Sequence, residues 1–154
     1  MKTHSNRIAA AAVLALCASV LPARAADPAA PSDAPYTQGT VWSLSFIRVV
    51  PGMGDDYLRS LGTTWKRVMD EAKKEGIILS YRVLDAEASS PDDWDLLLLV
   101  EYKNWAALDG LDAKFRAIEA KIVGGPEQNR TLMTKRIEIR RILGGKNAQE
   151  IFLK

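Results

Sequence analysis

Cysteine and histidine are almost missing from this sequence. Its 154 residues contain one of each, Cys17 and His4, and both precede residue 26. A disulfide within the chain needs two cysteines, so core packing alone must stabilise the fold. Residues 26–154 also lack the imidazole and the thiol that most often act as general base and nucleophile. This absence favours a binding protein and leaves an enzymatic role uncertain.

An excess of charge of either sign is also lacking. The chain has 21 basic and 19 acidic residues, and three of the basic ones, Lys2, Arg7 and Arg24, precede residue 26. The remainder is nearly neutral, so it offers no basic surface to a nucleic acid or an anionic membrane. We expect neither as a partner.

The N-terminus has the pattern of a secretory signal peptide. A basic start is followed by an apolar run from Ile8 to Leu21, and Ala23 and Ala25 are the small residues that signal peptidase reads. The run is shorter than the roughly 20 residues that span a bilayer. We therefore predict a signal peptide at 1–25, cleaved near Ala25/Ala26, and an exported protein, periplasmic or secreted, with no membrane anchor after cleavage.

Residues 26–38 predict a disordered linker. They contain three prolines and no aliphatic side chain larger than alanine, so they cannot bury enough surface to offset the entropy of ordering. The folded domain is accordingly assigned to 39–154.

Hydrophobic periodicity predicts four strands and two or three helices in that domain. Alternation and β-branched residues indicate strands at 40–50, 77–84, 94–102 and 148–154. Apolar positions three and four apart indicate one helix over 57–72 and a second, capped by Asn104, over 105–122. Residues 127–143 are ambiguous and favour a helix on propensity, and Gly144-Gly145 predicts a turn.

The order βαββα(α)β predicts an α+β, ferredoxin-like fold, an antiparallel sheet with helices on one face. Trp42, Leu44 and Phe46 alternate with a mixed set of residues, and the strand at 94–102 is apolar on both faces. A second sheet packed face to face would cover the apolar face that the helices leave bare. We therefore predict a homodimer that closes a dimeric α+β barrel.

Two segments carry a resemblance to a known superfamily. Residues 41–49 lead into Pro51-Gly52, and residues 100–108 read VEYKNWAAL. They resemble the dimeric α+β barrel superfamily, the second being similar to the strand-to-helix junction of antibiotic-biosynthesis-type monooxygenases. Members that act as haem enzymes bind iron through histidine, and the monooxygenases commonly place one shortly after the Trp-Ala-Leu segment. This chain has histidine in neither role, so we expect no cofactor and no metal.

Polar residues on the predicted strands indicate a ligand site inside the barrel. The expected ligand-binding residues are Trp42, Ser45, Ser80, Arg82 and Glu101, with Arg82 and Glu101 facing each other as a cross-strand pair. The pair would fix the polar end of a small apolar ligand.

Three functions remain open at this point. The first is an exported module that binds a small apolar ligand. The second is a cofactor-independent oxygenase or isomerase acting on an aromatic or quinone-like substrate, with Glu101, Tyr81 or Asp95 transferring protons. The third is a structural or assembly dimer without a ligand.

Overall fold

Four antiparallel strands form a single sheet in the computed structural model, which describes residues 33–154. The strands are β1 (Tyr36–Val49), β2 (Ser80–Asp85), β3 (Leu96–Tyr102) and β4 (Arg140–Leu153). Their order across the sheet is β2-β3-β1-β4, with every neighbouring pair antiparallel. Strands β1 and β3 therefore occupy the centre of the sheet.

The helices lie between the strands in the chain. Helix α1 (Gly54–Ser60) continues through a π-helical turn (Leu61–Trp65) into α2 (Lys66–Lys74), and α3 (Leu111–Ile122) and α4 (Pro126–Ile139) follow β3. The resulting order, with two helices in the second crossover, is that of the ferredoxin-like fold. The predicted fold class is confirmed. None of the helices in the described part of the chain is long and apolar enough to cross a membrane.

The core lies between the helices and one face of the sheet. Val41 and Ile47 of β1 are fully buried. Tyr57 of α1 is also fully buried, and Ile118 of α3 is almost so. The stripe predicted over 57–72 supplies much of this core, because its members face the sheet at helical spacing. The buried members of the stripe are Tyr57, Leu61, Val68, Met69 and Ala72.

Two predictions about helix ends need correction. Asn104 does accept a hydrogen bond from the Ala107 amide, but it caps a single 3-10 turn, Trp105–Leu108. Helix α3 begins only at Leu111, after Gly110. Gly110 has a φ of +64°, a left-handed conformation that glycine adopts without a Cβ clash.

The C-terminal region differs most from the prediction. The helix favoured over 127–143 ends at Ile139, and β4 then runs through Gly144-Gly145, where a turn was expected. Pairing with β1 overrides local propensity here, because Ser45 opposes Gly145. A Cβ on Gly145 would lie 2.9 Å from the Leu44 carbonyl oxygen. The close approach of β1 and β4 therefore explains the glycine at position 145.

The N-terminal end of the domain also lies earlier than predicted. Strand β1 begins at Tyr36, inside the range 26–38 assigned to the linker, because Tyr36, Thr37 and Gln38 pair with the end of β4. The signal peptide predicted at 1–25 and residues 26–32 of the linker lie outside the described residues.

Stability is expected to fall at high pH because of Tyr102. Burial raises the pKa of its hydroxyl to about 12, whereas an unfolded tyrosine ionises near pH 10. Between these values the unfolded state has lost the proton and the folded state has kept it. The free energy of unfolding should therefore fall from about pH 10 upward, by at most about 2–3 kcal/mol from this residue.

Urea unfolding on either side of pH 10 tests this, with Tyr102→Phe as the comparison. The variant should lose less stability than the wild type as the pH rises. Parallel losses in the two proteins would contradict the assignment.

Candidate ligand-binding face

The sheet face turned away from the helices is the candidate site, and we call it the open face. Strand alternation places Trp42, Leu44 and Phe46 of β1 on this face, because the buried Val41 and Ile47 of the same strand point to the helix side. The register then assigns three rows of four residues across β2, β3, β1 and β4. These rows are Ser80, Glu101, Trp42 and Ala148; Arg82, Leu99, Leu44 and Lys146; and Leu84, Leu97, Phe46 and Gly144.

The middle of the open face is apolar and its edges are charged. Leu44, Leu97 and Leu99 occupy the two central strands, while Arg82 and Lys146 lie on the edge strands. A groove of about 430 Å³ crosses this surface. The groove is lined by Trp42, Leu44, Arg82, Leu84, Leu99, Ala148, Gln149 and Glu150. Its volume lies in the range of small-molecule sites.

Arg82 is held by an aromatic ring and not by an acid. Its guanidinium carbon lies 5.2 Å from the centre of the Trp42 ring, within the range of a cation–π interaction. No ion pair joins Arg82 to a carboxylate anywhere in residues 33–154. The expected cross-strand pair with Glu101 is wrong, because Arg82 opposes Leu99 and Glu101 opposes Ser80.

Glu101 is anchored by hydroxyl groups. Its carboxylate accepts hydrogen bonds from Ser80 Oγ at 2.5 Å and from Thr40 Oγ1 at 2.9 Å. Thr40 also lies 3.4 Å from a carboxylate oxygen of Glu150. Because a hydroxyl has one proton to donate, the two carboxylates compete for it. The structure thus brings Ser80 and Glu101 together as one fixed acidic end of the open face.

Ser45 does not belong to this group. It opposes Leu98 in the sheet, and it shares the helix-side face with Ile47. The sequence prediction placed Ser45 with Ser80, Arg82 and Glu101, but strand alternation puts it on the opposite side of β1. Among the five expected ligand-binding residues, Trp42, Ser80, Arg82 and Glu101 share the open face.

The other acid–base candidates have structural partners. The Tyr81 hydroxyl donates to Asp70 at 2.5 Å, and its ring packs edge-on against Trp65. Asp95 accepts a hydrogen bond from the Val49 amide at 2.9 Å and pairs with Arg48 at 3.5 Å. Of the three groups suggested for proton transfer, Glu101 alone belongs to the three rows that define the open face. Residues 33–154 hold no cluster of three metal-ligating side chains.

Sequence reasoning missed two contributors to the open face. Thr40 is one. It lies two residues before Trp42 and four before Leu44, so strand alternation could have identified it. Lys146 is the other, with its Nζ 5.7 Å from the Phe46 ring centre. No strand was expected at Lys146, so no periodicity pointed to it.

No protein-family model matches this sequence, and no curated protein matches it. Among solved structures, HapK from Hahella chejuensis is similar, with 12% identity over 71% of this chain and 91% of its own, at a TM-score of 0.42. A dimeric ferredoxin-like protein from an uncultured marine organism is 10% identical over 77% of this chain and 98% of its own, with a TM-score of 0.45. A dimeric protein of unknown function and ferredoxin-like fold from Bacteroides fragilis is 13% identical over 77% of this chain and 100% of its own, with a TM-score of 0.39. The ferredoxin-like class itself rests on the strand order and register of this chain.

Proposed function

We propose that the protein is an exported homodimer whose open faces pack together and enclose a site for a small, mostly apolar molecule with one anionic group. The observation that carries the proposal is the open face itself, an apolar sheet surface on the side away from the helices, whose edge carries an arginine that forms no ion pair within residues 33–154. The dimer and the ligand are separate parts of the proposal, and they are argued in turn.

The composition of the open face supports packing against a second sheet. Its centre carries Leu44, Leu97, Leu99 and Phe46, and its rim carries charges of both signs. An apolar centre with a polar rim is the usual anatomy of a protein interface. A two-fold axis presents the same surface to itself, so Lys146 of one copy can meet Glu101 or Glu150 of the other.

The groove supports a ligand between the two sheets. It contains the ring of Trp42 and the side chains of Leu44 and Leu99, which suit an apolar body. Arg82 sits at its β2 edge without an acidic partner in the described chain. A guanidinium binds a carboxylate through two parallel hydrogen bonds. A ligand carboxylate at Arg82 would meet this unused donor set.

Export is the third part of the proposal, and it rests on the signal-peptide pattern of residues 1–25. Cleavage near Ala25/Ala26 would leave a nearly neutral domain without cysteine. Such a domain has no thiol to oxidise in a periplasm or outside the cell.

Mass spectrometry after expression of the full chain in a bacterial host tests all three parts. The denatured mass reports whether residues 1–25 have been removed, and the native mass reports the dimer and any bound molecule. We expect a processed dimer that carries a reproducible additional mass. A monomer would contradict the packing of the open faces, an empty dimer would contradict the ligand, and an unprocessed chain would contradict export.

Arg82→Ala tests the assignment of the ligand's anionic group. A charge-assisted hydrogen-bonded pair is worth about 1.5–3 kcal/mol, so we expect the affinity for the co-purified molecule to fall roughly 10- to 100-fold. Arg67→Ala is the matched control, because Arg67 is exposed on α2, and it should bind normally. Unchanged affinity in Arg82→Ala would refute the role of Arg82.

A further inference from the structure

A second apolar groove lies on the helix side of the sheet, and we call it the α4 groove. It occupies about 550 Å³ between α4 and the start of β4. Apart from Arg141, it is lined by Val50, Met133, Ile137, Arg140 and Ile142. Ile137 and Ile142 are 76% and 59% exposed. Two isoleucines this exposed beside one another form a surface that water solvates poorly.

Arg140 is a cation at this groove without an anion. Its Nε is buried and makes no hydrogen bond, and its guanidinium carbon lies 5.5 Å from the centre of the Tyr57 ring. Tyr57 is fully buried, so its ring is a fixed surface beneath the guanidinium. Within residues 33–154 no carboxylate pairs with Arg140. A buried guanidinium nitrogen without an acceptor is unfavourable.

The neighbouring charges do not neutralise Arg140. Arg136, one helical turn earlier, donates to the hydroxyls of Ser60 and Thr64 and not to an acid. Burial and then the positive charge of Arg140 lower the pKa of Arg136. Asp95, whose charge acts on Tyr57, is paired with Arg48, and Glu119, whose charge acts on Arg136, forms no ion pair with either arginine. Within residues 33–154, no ion pair therefore neutralises Arg140.

The remaining arginine at the groove is already neutralised. Arg141 forms an ion pair with Asp92 at 3.1 Å, and it opposes Arg48 on the other face of the sheet. Arg140 is thus the groove residue whose charge is available to a ligand. The groove combines one such cation with an apolar lining.

We propose that the α4 groove binds an amphipathic carboxylate, with its headgroup on Arg140 and its apolar tail along Met133, Ile137 and Ile142. A carboxylate matches one guanidinium fork through two parallel hydrogen bonds. A carboxylate also carries only one negative charge. Removing it from water beside isoleucine costs less free energy than removing a phosphate dianion. The site is separate from the open face and does not depend on the ligand proposed there.

Calorimetric titration of the purified full-chain product with sodium decanoate tests this proposal. Decanol supplies the tail without the charge, acetate supplies the charge without the tail, and decyl phosphate supplies a larger anion. We expect decanoate to bind at least 10-fold more tightly than the other three. Equal affinity for decanol and decanoate, or no binding of decanoate, would overturn the proposal.

Substitutions then locate the site. Arg140→Met should weaken decanoate binding at least 10-fold, while Arg140→Lys, which keeps the charge and loses the fork, should weaken it less. Arg130→Met is the matched control, since Arg130 is an exposed arginine of α4 paired with Glu127, and it should bind as the wild type does. Wild-type affinity in both Arg140 variants would refute the α4 groove as the site.

Discussion

Replacing Leu44 by glutamate should convert the proposed dimer into a folded monomer. Leu44 lies on a central strand, in the row formed by Arg82, Leu99 and Lys146. In a two-fold dimer the substitution introduces two carboxylates into the apolar centre of one interface. Burying an unpaired charge costs several kcal/mol per ion, so the dissociation constant should rise at least about 1000-fold.

Sedimentation velocity measures this change directly, and circular dichroism checks that the variant is folded. Leu58→Glu is the matched control, because Leu58 is 48% exposed on α1, on the helix side of the sheet. The same substitution there should leave the dimer intact. If Leu44→Glu also remains a dimer at low micromolar concentration, the open face is not the interface.

Ile47→Ala should cause the largest loss of stability among single apolar truncations in β1. Ile47 is fully buried and packs with Tyr57, Leu61, Leu96 and Leu98. Removing the larger part of a buried isoleucine costs about 2–5 kcal/mol, the sum of lost transfer energy and the cavity left behind. A domain stabilised by about 5–15 kcal/mol in total would lose a large part of it.

Urea denaturation at one fixed protein concentration tests the prediction, because dimer formation makes stability depend on concentration. Ile137→Ala is the matched control. Its side chain is 76% exposed, so the same truncation should change the free energy of unfolding by no more than about 0.5 kcal/mol. A loss below about 1 kcal/mol in Ile47→Ala would mean that this core cluster repacks easily.

The open face was only partly predictable from sequence. Period-two alternation correctly grouped Trp42, Leu44 and Phe46, because that signal needs nothing beyond β1 itself. It could not show which face the helices cover, since the covering residues come from distant parts of the chain. Ser45 was misplaced for this reason, and Arg82 was paired with Glu101 because sequence does not specify the register between β2 and β3.

The sequence by itself determined the element types up to Tyr102, the ferredoxin-like order and the absence of any disulfide in the domain. Each follows from local periodicity or composition. Tertiary structure decided β4. Its register places Ile142 opposite Ile47 and Gly144 opposite Phe46, so Leu143 is the extra residue of a bulge. That one residue reverses the alternation of β4, placing Lys146 on the open face and Ile142 beside α4. Only pairing with β1 could specify this, because a bulge arises from the fit between two strands and not from the propensity of either.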